Sequence, residues 1–330
     1  MSGLFAPPQA SSIAGQVDAL VLLLLVTSVA ISAGIFACIV VFCVRYRQRP
    51  GNIVGQRVTR TWRIELAWTL IPTGLAMVPF AWGAWLYLQE AQPPADSIEV
   101  YVVAKQWMWK AQQPDGQAEI DGLHVPEGRA IKLTMTSQDV IHSFSVPAFR
   151  LKADVLPGRF TTLWFQPTQV GEFRLYCSEY CGTDHSRMLG SVTVMRPADY
   201  AQWLTSGATA ANSPAALGRE LYRQYGCVDC HSTGRAPNLQ GVYGQPVLLS
   251  DNSTVVADEN YLRESILAPS AKIVNGYQPS MPSFAGQLDE EQIIQLIEFV
   301  KSIGGLAADS GPPPPPPGAP MPGPSPVAVP

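Results

Sequence analysis

The sequence predicts a multidomain chain: a two-helix transmembrane hairpin, then an all-β sandwich, then an all-α domain. Three observations carry this. Two uncharged apolar runs, Ala19 to Val44 and Leu66 to Leu88, stand near the start. Short β-branched segments separated by Gly, Pro and Asp follow them. A Cys-x-x-Cys-His motif between helix-period patterns comes last. Composition agrees: 15% of the 330 residues are charged and 47% are hydrophobic, too little charge for a chain wholly in water. The net charge of −4 includes no basic patch and excludes nucleic acid as a partner.

Each apolar run exceeds the roughly 20 residues a helix needs to cross a bilayer. Helices are expected over about 18–44 and 64–88. The first run is too long for a cleaved signal peptide, and no Lys or Arg precedes it. Between the runs lie Arg45, Arg47, Arg49, Arg57, Arg60 and Arg63 with no acid among them. The positive-inside rule places this connection in the cytoplasm and both termini outside. Trp82, Trp85 and Tyr87 then form an outer aromatic belt. Pro72 and Pro79 are tolerable in a packed membrane helix, and Cys38 and Cys43 read as buried small apolar residues. Glu65 stands at the edge of the second run. A carboxylate there is either functional or a snorkelling interfacial side chain.

Strands are expected at Ile98–Val103, Ile131–Thr136, Thr161–Phe165, Phe173–Tyr176 and Ser191–Met195. Short strands at this spacing make a sandwich or small barrel. The last two frame the stretch Cys177 to Met188, which holds two thiols, an imidazole and a thioether within twelve residues. Soft sulfur with imidazole suits copper. A mononuclear blue-copper loop has one Cys, then His, then an axial Met. Here a second Cys precedes the first by four, so Cys177 and Cys181 can bridge two copper ions, with His185 and Met188 behind them. Such a site needs a second His from outside the loop. His142, in an apolar segment, is the better candidate, and His124 sits in a turn-like setting after Asp121-Gly122. Two bland readings remain open: a short disulfide, or a structural zinc, which leaves Met188 unexplained.

Cys227-Val228-Asp229-Cys230-His231 is a c-type haem attachment signature, with His231 binding iron from the proximal face. A redox dithiol or zinc knuckle finds no further Cys or His downstream. Met281 is the one Met between residues 201 and 311, so it becomes the distal ligand, with Lys272 the weaker candidate. Met/His ligation raises the haem potential, which suits electron transfer. Leu217–Tyr225 and Glu290–Ile303 read as amphipathic helices flanking this region.

The loop Cys-Ser-Glu-Tyr-Cys-Gly-x-x-His-Ser-x-Met resembles the binuclear copper (CuA) loop of cytochrome c oxidase subunit II. The resemblance implies a cupredoxin-like Greek-key sandwich with ligands His142, Cys177, Cys181, His185 and Met188 and the Glu179 backbone carbonyl. It also implies that the Glu179 carboxylate reaches a magnesium ion beside subunit I. Gln106-Trp107-Met108-Trp109 is similar to a family segment whose first Trp receives the electron beside the copper, which points to Trp107; two Trp two residues apart on a strand share a face. Glu65-Leu66-Ala67-Trp68-Thr69-Leu70-Ile71-Pro72 is similar to the family's second helix, whose Glu stands at the mouth of a proton channel. Lys152 to Arg159 resembles a loop that packs on subunit I, giving Asp154 and Arg159 an interface role.

The C-terminal part resembles a class I cytochrome c domain, and the whole resembles subunit II of a caa-type oxidase. That implies electron relay from an external donor, cytochrome c or another respiratory complex, through covalent haem c and CuA to subunit I. Subunit I would reduce oxygen and pump protons, with subunit III as a further partner, in the bacterial inner membrane with periplasmic termini. Two rivals are a nitric oxide reductase subunit with CuA and a membrane-anchored carrier without an oxidase. The expected division is 1–95 for the hairpin, 96–200 for the copper domain, a linker over 201–216, 217–305 for the haem domain, and a Pro-rich disordered tail over 306–330.

Overall fold

In the computed structural model the described residues are 7–50, 60–207 and 213–304. The Pro-rich tail and Arg57 lie outside them, as do residues 208–212 of the expected linker.

Two long helices open the chain: α1 (Ala14–Arg45) and α2 (Trp62–Glu90). They pack as a hairpin whose apolar side chains face outward, as in a membrane span with lipid or other subunits around it. Pro72 and Pro79 lie inside α2. Cys38 and Cys43, expected to be buried, are exposed on α1. Among the described residues α1 packs mainly against α2 along its length, which leaves most of its circumference uncovered, and these thiols fall on that part.

The strands are β1 (Ile98–Lys105), β2 (Met108–Gln112), β3 (Ala118–Ile120), β4 (Gly122–Pro126), β5 (Ile131–Ser137), β6 (His142–Val146), β7 (Leu151–Val155), β8 (Thr161–Phe165), β9 (Gly171–Cys177) and β10 (Leu189–Met195). They form two five-stranded sheets, β3-β2-β1-β5-β8 and β4-β10-β9-β6-β7, facing each other across one apolar core. β1 pairs with β5, and β4 with β10, in parallel. The other pairings are antiparallel, which gives a Greek-key sandwich.

Period-2 alternation sets the inward residues. In β9, Phe173, Leu175 and Cys177 are buried while Glu172, Arg174 and Tyr176 are exposed. β1 departs from this. Val100, Val102 and Ala104 enter the sandwich core, but Tyr101 and Val103 on its other face are buried too, in the core of the haem domain.

That domain is built from α4 (Pro214–Gln224), a single turn α5 (Val228–His231), a two-stranded ribbon β11 (Pro246–Leu248) with β12 (Thr254–Val256), α6 (Glu259–Leu267) and α7 (Glu290–Ser302). Ser213, Asp258 and Asp289 cap α4, α6 and α7 with side-chain oxygens. The expected linker is shorter than 201–216. A helix α3 (Pro197–Gly207) occupies its first part, because Tyr200 and Trp203 stack on each other, Trp203 stacks on His124, and the Tyr200 hydroxyl donates to Gln113.

Candidate metal centre

The copper loop leaves the sandwich at the inward end of β9 and returns at β10. Because Cys177 holds the last buried register position of β9, its thiol points into the core end. His142 opens β6, next to β9, and is fully buried. The loop backbone is fixed on both sides: the Ser178 N–H donates to the Ser143 carbonyl (3.0 Å) and the Cys177 N–H to the Met188 carbonyl (3.2 Å).

This brings every predicted donor together. Cys177 Sγ lies 3.9 Å from His142 Nδ1, 3.7 Å from Cys181 Sγ and 3.2 Å from the Glu179 carbonyl. Cys181 Sγ lies 3.5 Å from His185 Nδ1 and 3.8 Å from Met188 Sδ. The sulfurs are not bonded, since a disulfide needs about 2.05 Å. Five side-chain donors and a carbonyl also exceed the four that a structural zinc takes. Thiol, imidazole and thioether donors together suit copper, and the set would supply donors enough for two ions.

The thiols differ electrically. Burial pushes Cys177 up, but hydrogen bonding by His142 and by the loop backbone outweighs it and brings the group down to about 6. Burial and the neighbouring Cys177 push Cys181 up to about 12. Without a cation the pair therefore keeps one proton at neutral pH, and metal binding releases it.

Around the donors is a second layer that the sequence reading passed over. Asp139 accepts from His142 Nε2 (2.8 Å), from the Gln106 N–H (2.7 Å) and from the Val140 N–H (2.7 Å). It thereby fixes the ring with Nδ1 toward the thiols. Gln106 Nε2 and Trp107 Nε1 both donate to the Cys181 carbonyl, at 2.8 and 3.2 Å. The signal for Asp139 was its offset of three residues before His142 on the same segment.

Trp107 and Trp109 do not share a strand face. β1 and β2 are joined by a tight turn closed by the pair Lys105 and Met108, and Trp107 sits in that turn. Trp109 is core, edge-on to His142 and Phe144. His124 is in strand β4 and not in a turn; its ring stacks on Trp203 and its Nδ1 meets Glu119, away from the thiols. Glu179 and Asp154 are exposed, as is Arg159. Glu65 lies in the first turn of α2.

In the haem domain, Gly226 takes a left-handed conformation (φ +70°) that ends α4 and turns the chain into α5. Cys227 and Cys230 then lie about one turn apart, and both are unpaired thiols. His231 Nδ1 donates to the Pro237 carbonyl at 2.7 Å, leaving Nε2 for a metal. His231 and Met281 line the same two adjoining cavities, whose walls include Tyr222, Leu262, Phe284 and Ile297. An apolar crevice lined by Cys227, with Cys230 one helical turn on and two iron donors in its wall, fits a covalently held haem. Lys272 also lines the crevice, but its ammonium pairs with Glu264 at 2.5 Å.

Comparisons with known proteins follow this anatomy. Residues 1–81 match the family model for cytochrome c oxidase subunit II, transmembrane domain, and residues 85–195 the model for its periplasmic domain. Residues 213–300 match cytochrome c oxidase, cbb3-type, subunit III. A cytochrome c oxidase subunit 2 of Alkalihalophilus pseudofirmus is 25% identical over 292 residues, 83% of either chain. One of Thermostichus vulcanus is 30% identical over 262 residues, covering 63% of this chain and 80% of its own. The crystal structure of the periplasmic domain of subunit II from Bradyrhizobium japonicum is 29% identical, with a TM-score of 0.34, covering 35% of this chain and 96% of that one.

Fold and donor set define a membrane-anchored copper domain fused to a c-type cytochrome domain. The chain belongs to the cytochrome c oxidase subunit II family, in the fused form of caa-type oxidases.

Proposed function

We propose that this subunit relays electrons from an external donor to subunit I of a proton-pumping oxidase that reduces oxygen to water. The observation that carries the reading is the convergence of both thiols, both imidazoles and the thioether at one end of the sandwich. When bound, covalent haem c and binuclear copper supply one-electron chemistry at the two sites. Cys227 and Cys230 would hold the haem, and His231 and Met281 its iron. Cys177, Cys181, His142, His185, Met188 and the Glu179 carbonyl would hold the copper ions. The chain's own contribution is rigidity. Asp139 fixes His142, while Trp107 and Gln106 clamp the Cys181 carbonyl. Rigid ligands leave little to rearrange when the charge changes.

Trp107, half-buried beside the thiols, is the group through which an electron reaches them. In this reading the Glu179 carboxylate holds a magnesium ion against subunit I, and Asp154 and Arg159 contact the same subunit; the exposure of all three side chains supports it. Glu65 stands at the mouth of its proton channel, on the cytoplasmic side. Support for that side comes from the hairpin ends. Arg150 pairs with Asp18 in the first turns of α1 (2.6 Å), and Trp164 Nε1 donates to the Gln89 carbonyl near the end of α2 (3.3 Å). Both of these helix ends thus meet the copper domain, and Arg45 and Arg63, at the opposite ends of α1 and α2, lie a membrane's thickness away, which supports a periplasmic copper domain.

The test is copper per covalent haem in the purified complex, with EPR. About two coppers per haem, with one signal delocalised over both, is the expected result. One copper, or zinc in its place, would refute the relay as drawn. For Glu65, an Ala variant that keeps full turnover and proton uptake would remove its role.

A further inference from the structure

Lys301 lies at the seam between the haem domain and the copper domain, with its side chain 13% exposed. Its Nζ is 3.0 Å from Glu99, 2.7 Å from the Tyr101 hydroxyl, 2.9 Å from Glu259 and 3.1 Å from Glu298. Glu99 and Tyr101 belong to β1 of the copper domain, whereas Glu259 and Glu298 belong to α6 and α7 of the haem domain. Lys132, on β5, reaches the same two carboxylates from the other side: Glu99 at 2.9 Å and Glu259 at 3.2 Å. Each domain thus places one ammonium between one carboxylate of its own and one of its neighbour. Farther along, Lys110 pairs with Glu291 (2.5 Å), and the Phe160 N–H donates to Asn260 Oδ1 (2.9 Å).

Under these polar groups, Tyr101, Val103 and Phe160 of the copper domain share one apolar cluster with Tyr261, Ile294 and Ile297. Apolar contact gives adhesion without direction. Charges taken out of water recover their desolvation only in one geometry. A slipped or rotated docking would leave Lys132, Lys301, Glu99 and Glu259 buried and mismatched. The network therefore selects orientation, while the apolar patch supplies attachment.

We propose that Lys301 and Lys132, through Glu99 and Glu259, lock the haem domain in one orientation on the outer face of β1 and β5. The haem crevice is then held at a fixed offset from the copper loop through turnover. The strand that carries Glu99 and Tyr101 runs on through Val103 into the turn where Trp107 meets Cys181, so lock and copper site share one rigid element. Both lysines are positioning residues and touch neither site. The inference rests on the relay reading above.

The test uses the whole oxidase complex, with flash photoreduction of the haem by a tethered ruthenium reagent and amide exchange of α7 and β1 measured in parallel. Lys301→Met should shift the docked–undocked equilibrium by on the order of 100-fold. It should accelerate exchange at the seam and slow haem-to-copper transfer by about tenfold or more, while the haem spectrum and copper EPR stay native. Lys301→Arg should restore both readouts. Lys301→Met combined with Glu99→Gln should cost less than the sum of the single changes, because the two side chains interact. Native exchange and native transfer in Lys301→Met would overturn the lock. Accelerated exchange, in a complex whose unaltered form shows no haem-to-copper transfer, would refute the relay and leave the lock standing. If Lys301→Met loses its haem spectrum, Lys132→Met, made from the copper-domain side, decides by the same readouts.

Discussion

At Gly182 the copper loop turns with φ +117°, and a Cβ there would lie 2.8 Å from Gln106 Nε2 and 3.3 Å from the Trp107 ring. Those are the two side chains that donate to the Cys181 carbonyl. Gly182→Ala should therefore strain the backbone by roughly 1–3 kcal/mol and push Trp107 off the loop. The copper domain should denature at lower urea and show an altered copper EPR pattern; an unchanged pattern would mean that the loop does not depend on this clamp. Asp139 makes the complementary case. With Asp139→Ala, His142 loses the acceptor that orients its ring. Copper affinity should fall by about 10–100-fold, as for other carboxylates behind a ligating imidazole. Competition against a copper(I) chelator measures it, and retained affinity would show that burial alone holds the ring.

Between elements, the closest approach is that of α4 to α7, at Gly218. A Cβ on Gly218 would sit 1.8 Å from the Gln295 carbonyl oxygen, a backbone atom that cannot step aside. Gly218→Ala should cost the haem domain roughly 3 kcal/mol or more and abolish covalent haem, while copper binding survives; normal haem content would mean that the two helices can separate without loss. Nothing in Leu217-Gly218-Arg219 announced this crossing, because a glycine in an amphipathic helix reads only as a weak helix former. Other elements were legible. The two hairpin helices, the first and last strands, and α7 follow from unbroken apolar runs or clean periods. β6 was hidden because His142-Ser143-Phe144-Ser145-Val146 is buried at every position, with the Ser143 hydroxyl donating to the Ala153 carbonyl inside. β4 was masked by the Asp121-Gly122 pair: Asp121 turns the chain with φ +54°, but Gly122 already opens the strand. The cluster of Cys177, Cys181, His185 and Met188 was legible in the loop because soft side chains are rare and here stand close together, and the fold brings His142 to them. Asp139 and Gln106 were not, since what they do depends on which backbone folds back onto them.

Across the whole molecule, the seam around Glu259 makes attachment of the haem domain depend on pH. Facing Glu259 are Lys132 from β5, Lys301 from α7, and the Tyr243 hydroxyl, with Glu99 from β1 on the far side of both lysines. Burial pushes the Glu259 carboxyl up, but the charges of Lys301 and Lys132 outweigh it and hold the group at about 2, against an ordinary 4.5. Glu99 is lowered in the same way by the same two lysines. A lowered carboxylate contributes stability that is complete above its unfolded value and drains away as pH falls toward its folded one. Burial works against the charge on Lys301, yet its ring of Tyr101, Glu298, Glu99 and Glu259 raises it above the ordinary 10.5. That contribution is complete below 10.5 and is lost only at more alkaline pH. Docking should therefore hold steady through neutral pH and weaken from 4.5 downward, toward about 2. Glu259→Gln removes one of the two titrating carboxylates, so its docking should be weaker than native at pH 7 and fall less steeply over that acid window, where Glu99 still titrates. Amide exchange of β1 at a series of pH values, corrected for intrinsic exchange rates, separates the cases. Parallel acid profiles in both proteins would place the titration elsewhere and show that Glu259 is carried at the seam without governing it.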